Sequence, residues 1–131
     1  MPADSTLLCV STLAAGTAIT DVRAIFAAIR AQAVADGTSG AMVFDGAGFC
    51  LYLEGARDAI GLCIDRHRAD TRCAEVEVLH HGAGEARRYR RFVSGYSSAD
   101  GPPATEQLRA LGDGAAMGRF VELSSDFDLV F

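Results

Sequence analysis

The chain of 131 residues contains no lysine and no tryptophan. Without lysine, its 12 basic residues are all arginine, set against 17 acidic ones for a net charge of −5. A negative surface of this kind excludes non-specific nucleic-acid binding, which rests on neutralising phosphates with clustered positive charge. The one dense basic run, Arg87, Arg88, Arg90 and Arg91, splits between two faces of a strand and reads as solvated charge. No apolar run approaches the about 18 residues that a membrane-spanning helix needs. Leu7 to Val10 is too short for the apolar region of a signal peptide. Cys9, Cys50, Cys63 and Cys73 stand without any CxxC spacing, which argues against a redox or zinc motif. They are expected as reduced, buried core residues of a cytoplasmic protein. A lysine-free composition rich in Ala, Gly and Arg suggests a GC-rich bacterial genome.

Half of the residues are hydrophobic, ample for one core, and the length suits one domain. Leu7 to Ser11 reads as a buried first strand. Thr20 is expected to cap a helix whose Val22, Ile25, Phe26 and Ile29 form one apolar stripe. Asp21 favours the start of that helix through its dipole, and Gly37 stops it. Ala41 to Phe44 and Phe49 to Leu53 flank the turn signal Asp45-Gly46-Ala47-Gly48, which predicts a β-hairpin ended by Gly55. A second helix carries Ile60, Cys63, Ile64 and His67 at the same offsets. Glu75 to His80 alternates polar and apolar, the mark of a strand with one wet face. Arg88 to Tyr96 reads as a last strand; Tyr89 and Phe92 differ in parity, which allows a bulge or an early strand end.

The order β-α-β-β-α-β-β with right-handed crossovers gives an α+β, ferredoxin-like sandwich: two helices on one face of a five-stranded mixed sheet. Gly101-Pro102-Pro103 closes this unit, so the domain is expected at 1–100, with 101–131 as a C-terminal extension. That extension reads as one short helix, about Thr105 to Leu111, and an apolar-acidic segment from Phe120 to Phe131. Its Phe127, Leu129, Val130 and Phe131, with an exposed sheet face, would suit association; the same tail could instead fold back on its own core.

Five segments, in order and without a gap, carry a resemblance. Leu7-Leu8-Cys9-Val10-Ser11 matches L-x-Y-x-S except at the tyrosine. Gly37 to Phe44 matches a G-[IV]-[ST]-G turn into an apolar strand, and Phe49 to Gly55 matches F-x-Q-x-L-E-G. Asp70-Thr71-Arg72-Cys73 stands for D-x-R-H, and Arg88-Tyr89 with Phe92 to Tyr96 for R-[FY]-x-x-W-x-M-G-[FY]. Over about residues 6 to 97 the chain therefore resembles the BLUF family of flavin-based blue-light sensors. The resemblance implies an FAD whose isoalloxazine ring lies between the two helices, against the sheet. By family position the ring would meet Cys9, Ile29, Gln32, Ala33, Phe49, Leu51, Arg72, Cys73, Phe92 and Ser94.

The family's photochemistry takes an electron and a proton from a tyrosine and rearranges the hydrogen bonds of a glutamine, while an asparagine holds the ring. Here those three positions are Cys9, Leu51 and Ala33, with Gln32 beside the last. A leucine neither donates nor accepts, and an alanine methyl cannot hold a carbonyl. The tryptophan and methionine positions are Phe92 and Ser94, the histidine position is Cys73, and only Arg72 is kept. The replacements are small or apolar, as if core had filled the cleft, and the expectation is that FAD is lost. Cys9 beside a flavin could form an adduct only with suitable geometry and a lowered thiol pKa.

Other chemistry is thin. His80 and His81 point to opposite strand faces, which makes poor metal-ligand geometry. His67 falls on the apolar stripe and reads as a satisfied core histidine. Glu54 reads as a structural strand end, and no Ser-His-Asp or Cys-His set has supporting context. Neither an enzyme nor a metal site is expected. The expected role is a regulatory module with a protein partner or self-association. A flavin photoreceptor with an atypical site is the alternative, and a small enzyme on this fold comes last.

Overall fold

The computed structural model describes residues 4–84, 86–97 and 101–130. Six strands form one mixed sheet in the order β4-β1-β3-β2-β5-β6. They are β1 (Ser5–Leu13), β2 (Ser39–Phe44), β3 (Gly48–Gly55), β4 (Cys73–Ala83), β5 (Phe92–Ser97) and β6 (Phe127–Val130). Helices α1 (Val22–Asp36) and α2 (Arg57–Ala69) cross over one face; α3 (Ala104–Arg109) and α4 (Asp113–Ser124) follow the last crossover. Because β3 lies antiparallel between β1 and β2, the β1-α1-β2 unit is a split crossover, and β3-α2-β4 repeats it around β1. This is the α+β, ferredoxin-like arrangement.

Strand alternation sorts the side chains into two cores. Leu7, Cys9, Met42, Phe44, Phe49, Leu51 and Leu53 face α1 and α2, whose Val22, Ile25, Phe26, Ile29, Ile60, Cys63 and Ile64 complete that layer. Leu8, Val10, Val43, Cys50 and Tyr52 face the other way, onto Ala104, Leu108, Ala116, Phe120, Leu123 and Phe127. The sheet face expected to be exposed is therefore covered. Each large apolar side chain buried there contributes about 1.5–3 kcal/mol, which outweighs leaving the segment in water.

Three further differences from the sequence reading have physical causes. The sheet has six strands rather than five, because β6 adds to the edge of β5 with Ser97 opposite Phe127. The segment after Gly101 holds two helices, not one; α4 carries Gly114 in its first turn and Gly118 in its interior, which lowers its intrinsic propensity and hides it. Phe131, read as part of the apolar tail, lies outside the described residues. The last core strand starts at Phe92 instead of Arg88, since the backbone N–H groups of Arg88 and Tyr89 donate to the Glu54 carboxylate at 2.6 and 2.9 Å.

Two glycines set the turn from α1 into β2. Gly37 caps the helix in the left-handed region at φ 68°, donating back to Val34 O. Gly40, at φ 150°, lies so close to β3 that a Cβ would stand 1.9 Å from Tyr52 O.

Candidate functional site

The sheet floor under α1 and α2 brings together seven of the ten positions singled out above. Cys9, Ile29, Ala33, Phe49, Leu51, Cys73 and Phe92 all belong to one buried cluster. Cys9 and Leu51 stand directly opposite each other on β1 and β3, both at 0% exposure. At the two places where the resemblance puts a phenol and an amide, a thiol faces an isobutyl group. Ala33 is likewise closed to solvent. The chain has no asparagine, and its glutamines are Gln32 and Gln107.

Above this floor, between the helices, a cavity of about 180 Å³ is lined by Ile25, Ala28, Ile29 and Gln32 of α1, Cys63, Arg66 and His67 of α2, and Asp70. The Gln32 amide donates to the Asp36 carboxylate one helical turn on, so its donor is turned along the helix. His67 is buried, with Nε2 3.0 Å from the equally buried Ser11 Oγ. Burial pushes its imidazole down to about 4, although Asp70 pulls the other way. A neutral ring bound to a hydroxyl is the satisfied core histidine expected from the sequence.

Arg72 is held outside the cluster. Its Nε and Nη2 donate to both carboxylate oxygens of Asp70 at 2.9 and 2.8 Å, a bidentate clasp. Asp70 Oδ1 also accepts the Arg72 backbone N–H at 3.0 Å, and together these hold its carboxyl below the usual range. Ser94 leaves the site as well: it faces Arg30 and Val130 on the opposite flank of α1. The four cysteines are free and buried. Burial raises the Cys9 thiol to about 12 and the Cys63 and Cys73 thiols to about 11, and pushes Cys50 higher still. That is the reverse of the activation a thiol adduct requires.

Sequence reasoning placed Glu54 at a strand end and missed what it does there. Its buried carboxylate accepts four hydrogen bonds: from Ser39 Oγ at 3.2 Å, Tyr52 OH at 2.9 Å, and the Arg88 and Tyr89 backbone. It ties β2, β3 and the approach to β5 together. An acidic residue closing an apolar strand, followed by glycine, was the only signal. Asp45 does similar work outside the site, accepting Ala47 and Gly48 N–H in its own turn and both Thr105 N and Oγ at the start of α3. Among the described residues, no group of three or more His, Cys, Asp or Glu could hold a metal ion. Nor is any described helix long and apolar enough to cross a membrane.

Comparison with known proteins completes the picture. The family model for BLUF, sensors of blue-light using FAD, matches residues 5–95. Among solved structures, BlsA in its photo-activated state superposes with a TM-score of 0.69 at 14% identity, covering 92% of this chain and 91% of that one. The dark-state structure of BlrB, a BLUF protein, gives 0.63 at 24% identity, with 89% and 84% covered. BlrP1 from Klebsiella pneumoniae, solved with calcium and cyclic-diGMP, gives 0.65 at 19% identity; 95% of this chain matches only 29% of that one. A bacterial light-regulated adenylyl cyclase is likewise matched over 35% of its length. These likenesses show a shared fold. No curated protein sequence matches the chain.

Proposed function

This chain belongs to the BLUF family, the sensors of blue-light using FAD, and on that premise we propose that it is a sensory or regulatory domain that acts through protein–protein contacts without the family's photochemistry. The observation that carries this reading is the pairing of Cys9 with Leu51. Light-driven proton and electron transfer needs a phenol and an amide in hydrogen-bond contact; a buried thiol opposite a leucine supplies neither. The residues present do not fit a flavin photosite. The cavity between α1 and α2 is about 180 Å³, below the roughly 300–1,000 Å³ of small-molecule sites. The floor beneath it is closed apolar core.

The domain's role is then to present a surface. Related folds form about a third of BlrP1 and of the light-regulated adenylyl cyclase, while BlrB and BlsA are little longer than this chain. The module thus occurs both joined to further chain and nearly alone. Val34 on α1 and Leu62 on α2 are 69% and 51% exposed, apolar points available to a partner or a second copy.

A second reading keeps the cofactor. The resemblance puts the ring between α1 and α2, and the cavity between these helices is lined by Gln32; these support FAD binding without a photocycle. The absorption spectrum from about 300 to 550 nm, before and after excess FAD, separates the two. Colourless protein that ignores FAD is the expected outcome. A flavin band that red-shifts under blue light overturns the proposal, and a band that does not shift supports cofactor retention alone. A dimer stable at micromolar concentration supports action through contacts; a strict monomer counts against it.

A further inference from the structure

On the flank of α1 away from α2, Arg23, Phe26, Ala27 and Arg30 face Ser94 and Tyr96 of β5 and Val130 of β6 across a groove of about 460 Å³. That volume falls inside the roughly 300–1,000 Å³ range of small-molecule sites, where the α1–α2 cavity falls short. One wall is apolar. Phe26 packs edge-on against Tyr96 with ring centroids 5.8 Å apart, and Val130 stands 53% exposed at the rim.

The other wall is cationic. The chain carries a net charge of −5, yet among the described residues neither Arg23 nor Arg30 pairs with a carboxylate. Arg30 Nη2 donates to Ser94 Oγ at 3.4 Å, near the limit for a hydrogen bond. Its Nε is shielded from solvent and has no acceptor. A buried donor left unmade is uncommon and costs more than a made bond contributes. Asp128, opposite Tyr96 on β6, is exposed at the same edge of the sheet and does not reach either arginine.

We propose that this groove binds a small aromatic oxyanion, a phosphate or a carboxylate. The anionic group sits on the groove-facing side of the Arg30 guanidinium with Arg23 beside it, and the ring lies against Tyr96 and Val130. Such a site gives the domain a chemical input that needs no flavin.

The test titrates the isotope-labelled 131-residue chain with phenyl phosphate and, separately, benzoate, following amide shifts by NMR; the two arms distinguish phosphate from carboxylate. Saturable shifts confined to α1, β5 and β6 are expected with at least one of them. Losing a charge-assisted bond in Arg30→Met weakens that binding about tenfold or more. Arg23→Met weakens it less, and Arg68→Ala, on the exposed side of α2, changes it by under about twofold. Inorganic phosphate binds more weakly than phenyl phosphate because it leaves the apolar wall uncovered. Absence of saturation with both anions, shifts spread over the whole surface, or equal loss in Arg68→Ala overturns the proposal. Should Arg30→Met not fold, Arg23→Met and the inorganic-phosphate comparison still decide it. The result is independent of the flavin spectrum, so either reading can fail alone.

Discussion

Ser11 Oγ and His67 Nε2 lie 3.0 Å apart at the bottom of the α1–α2 layer, joining β1 to α2 across 56 residues of sequence. Burial holds the imidazole neutral, with its pKa lowered from 6.5 to about 4. Arg68 lowers it further while Asp70 opposes.

A pH dependence follows. Below about pH 6.5 the unfolded chain takes up a proton at His67 that the folded chain refuses, so stability falls with falling pH until the folded value near 4 is reached. The loss approaches about 3 kcal/mol across that window. Urea midpoints measured between pH 7 and 4.5 are expected to fall steadily, and in His67→Leu the profile flattens. The lowered Asp70 and Asp4 carboxyls add their own loss only below that window. A wild-type profile that is flat from pH 7 to 4.5 contradicts the assignment.

Glu54 gives the sharpest mutational expectation. Its four accepted hydrogen bonds come from β2, β3 and the segment entering β5. In Glu54→Gln one oxygen becomes a donor facing two of the former donors, and buried N–H or O–H groups are left without acceptors. Destabilisation of about 2–4 kcal/mol is expected, among the larger effects of any isosteric change. Chemical denaturation reads it, and a loss under about 0.5 kcal/mol would show the carboxylate to be incidental.

The second core makes a prediction about the tail. Phe120 of α4 is fully buried, stacked on Tyr52 at 5.4 Å and against Phe127 at 5.7 Å. Phe120→Ala is expected to cost about 3–5 kcal/mol and to lower the single unfolding transition as a whole. A separate early transition, with the remainder unmoved, would mean that α3, α4 and β6 fold apart from the sheet.

Thiol chemistry offers an inexpensive check on the site. All four cysteines are free and buried, with Cys9 raised to about 12. In native protein at pH 8, reaction with a disulfide reagent is expected to be slow for every one, and complete within minutes in denaturant. One fast native thiol at Cys9 would reopen the adduct chemistry that its environment argues against.

Much of the fold was legible because its signals are local. The stripe of α1, its Gly37 cap and the Asp45 turn are written in neighbouring residues, and so was the resemblance that named the cleft. Strand entry at Phe92 was not, because Arg88 and Tyr89 satisfy their N–H groups on a residue 34 and 35 positions earlier. α4 and β6 were hidden by glycines and by shortness; tertiary burial of Phe120 and Phe127 holds them. In the site, Cys9 and Leu51 could be named but not seen to face each other. Ser94 was assigned to the ring because motif spacing carries no information about the flank of α1 on which Arg30 waits.

At the sheet's far edge, β4 runs for 11 residues with its outer side unpaired by another described strand. Its ladder with β1 slips between Val10 and Thr12, where Glu75 takes φ 51°, and Arg109 of α3 reaches over to Glu75 O at 2.7 Å and the Glu77 carboxylate at 3.4 Å. A kink, a capped carbonyl and alternating glutamates are the devices by which proteins discourage runaway edge-to-edge stacking. Strand addition is therefore disfavoured along that border, which leaves the helices and the opposite, β6 edge as the surfaces from which this domain can assemble.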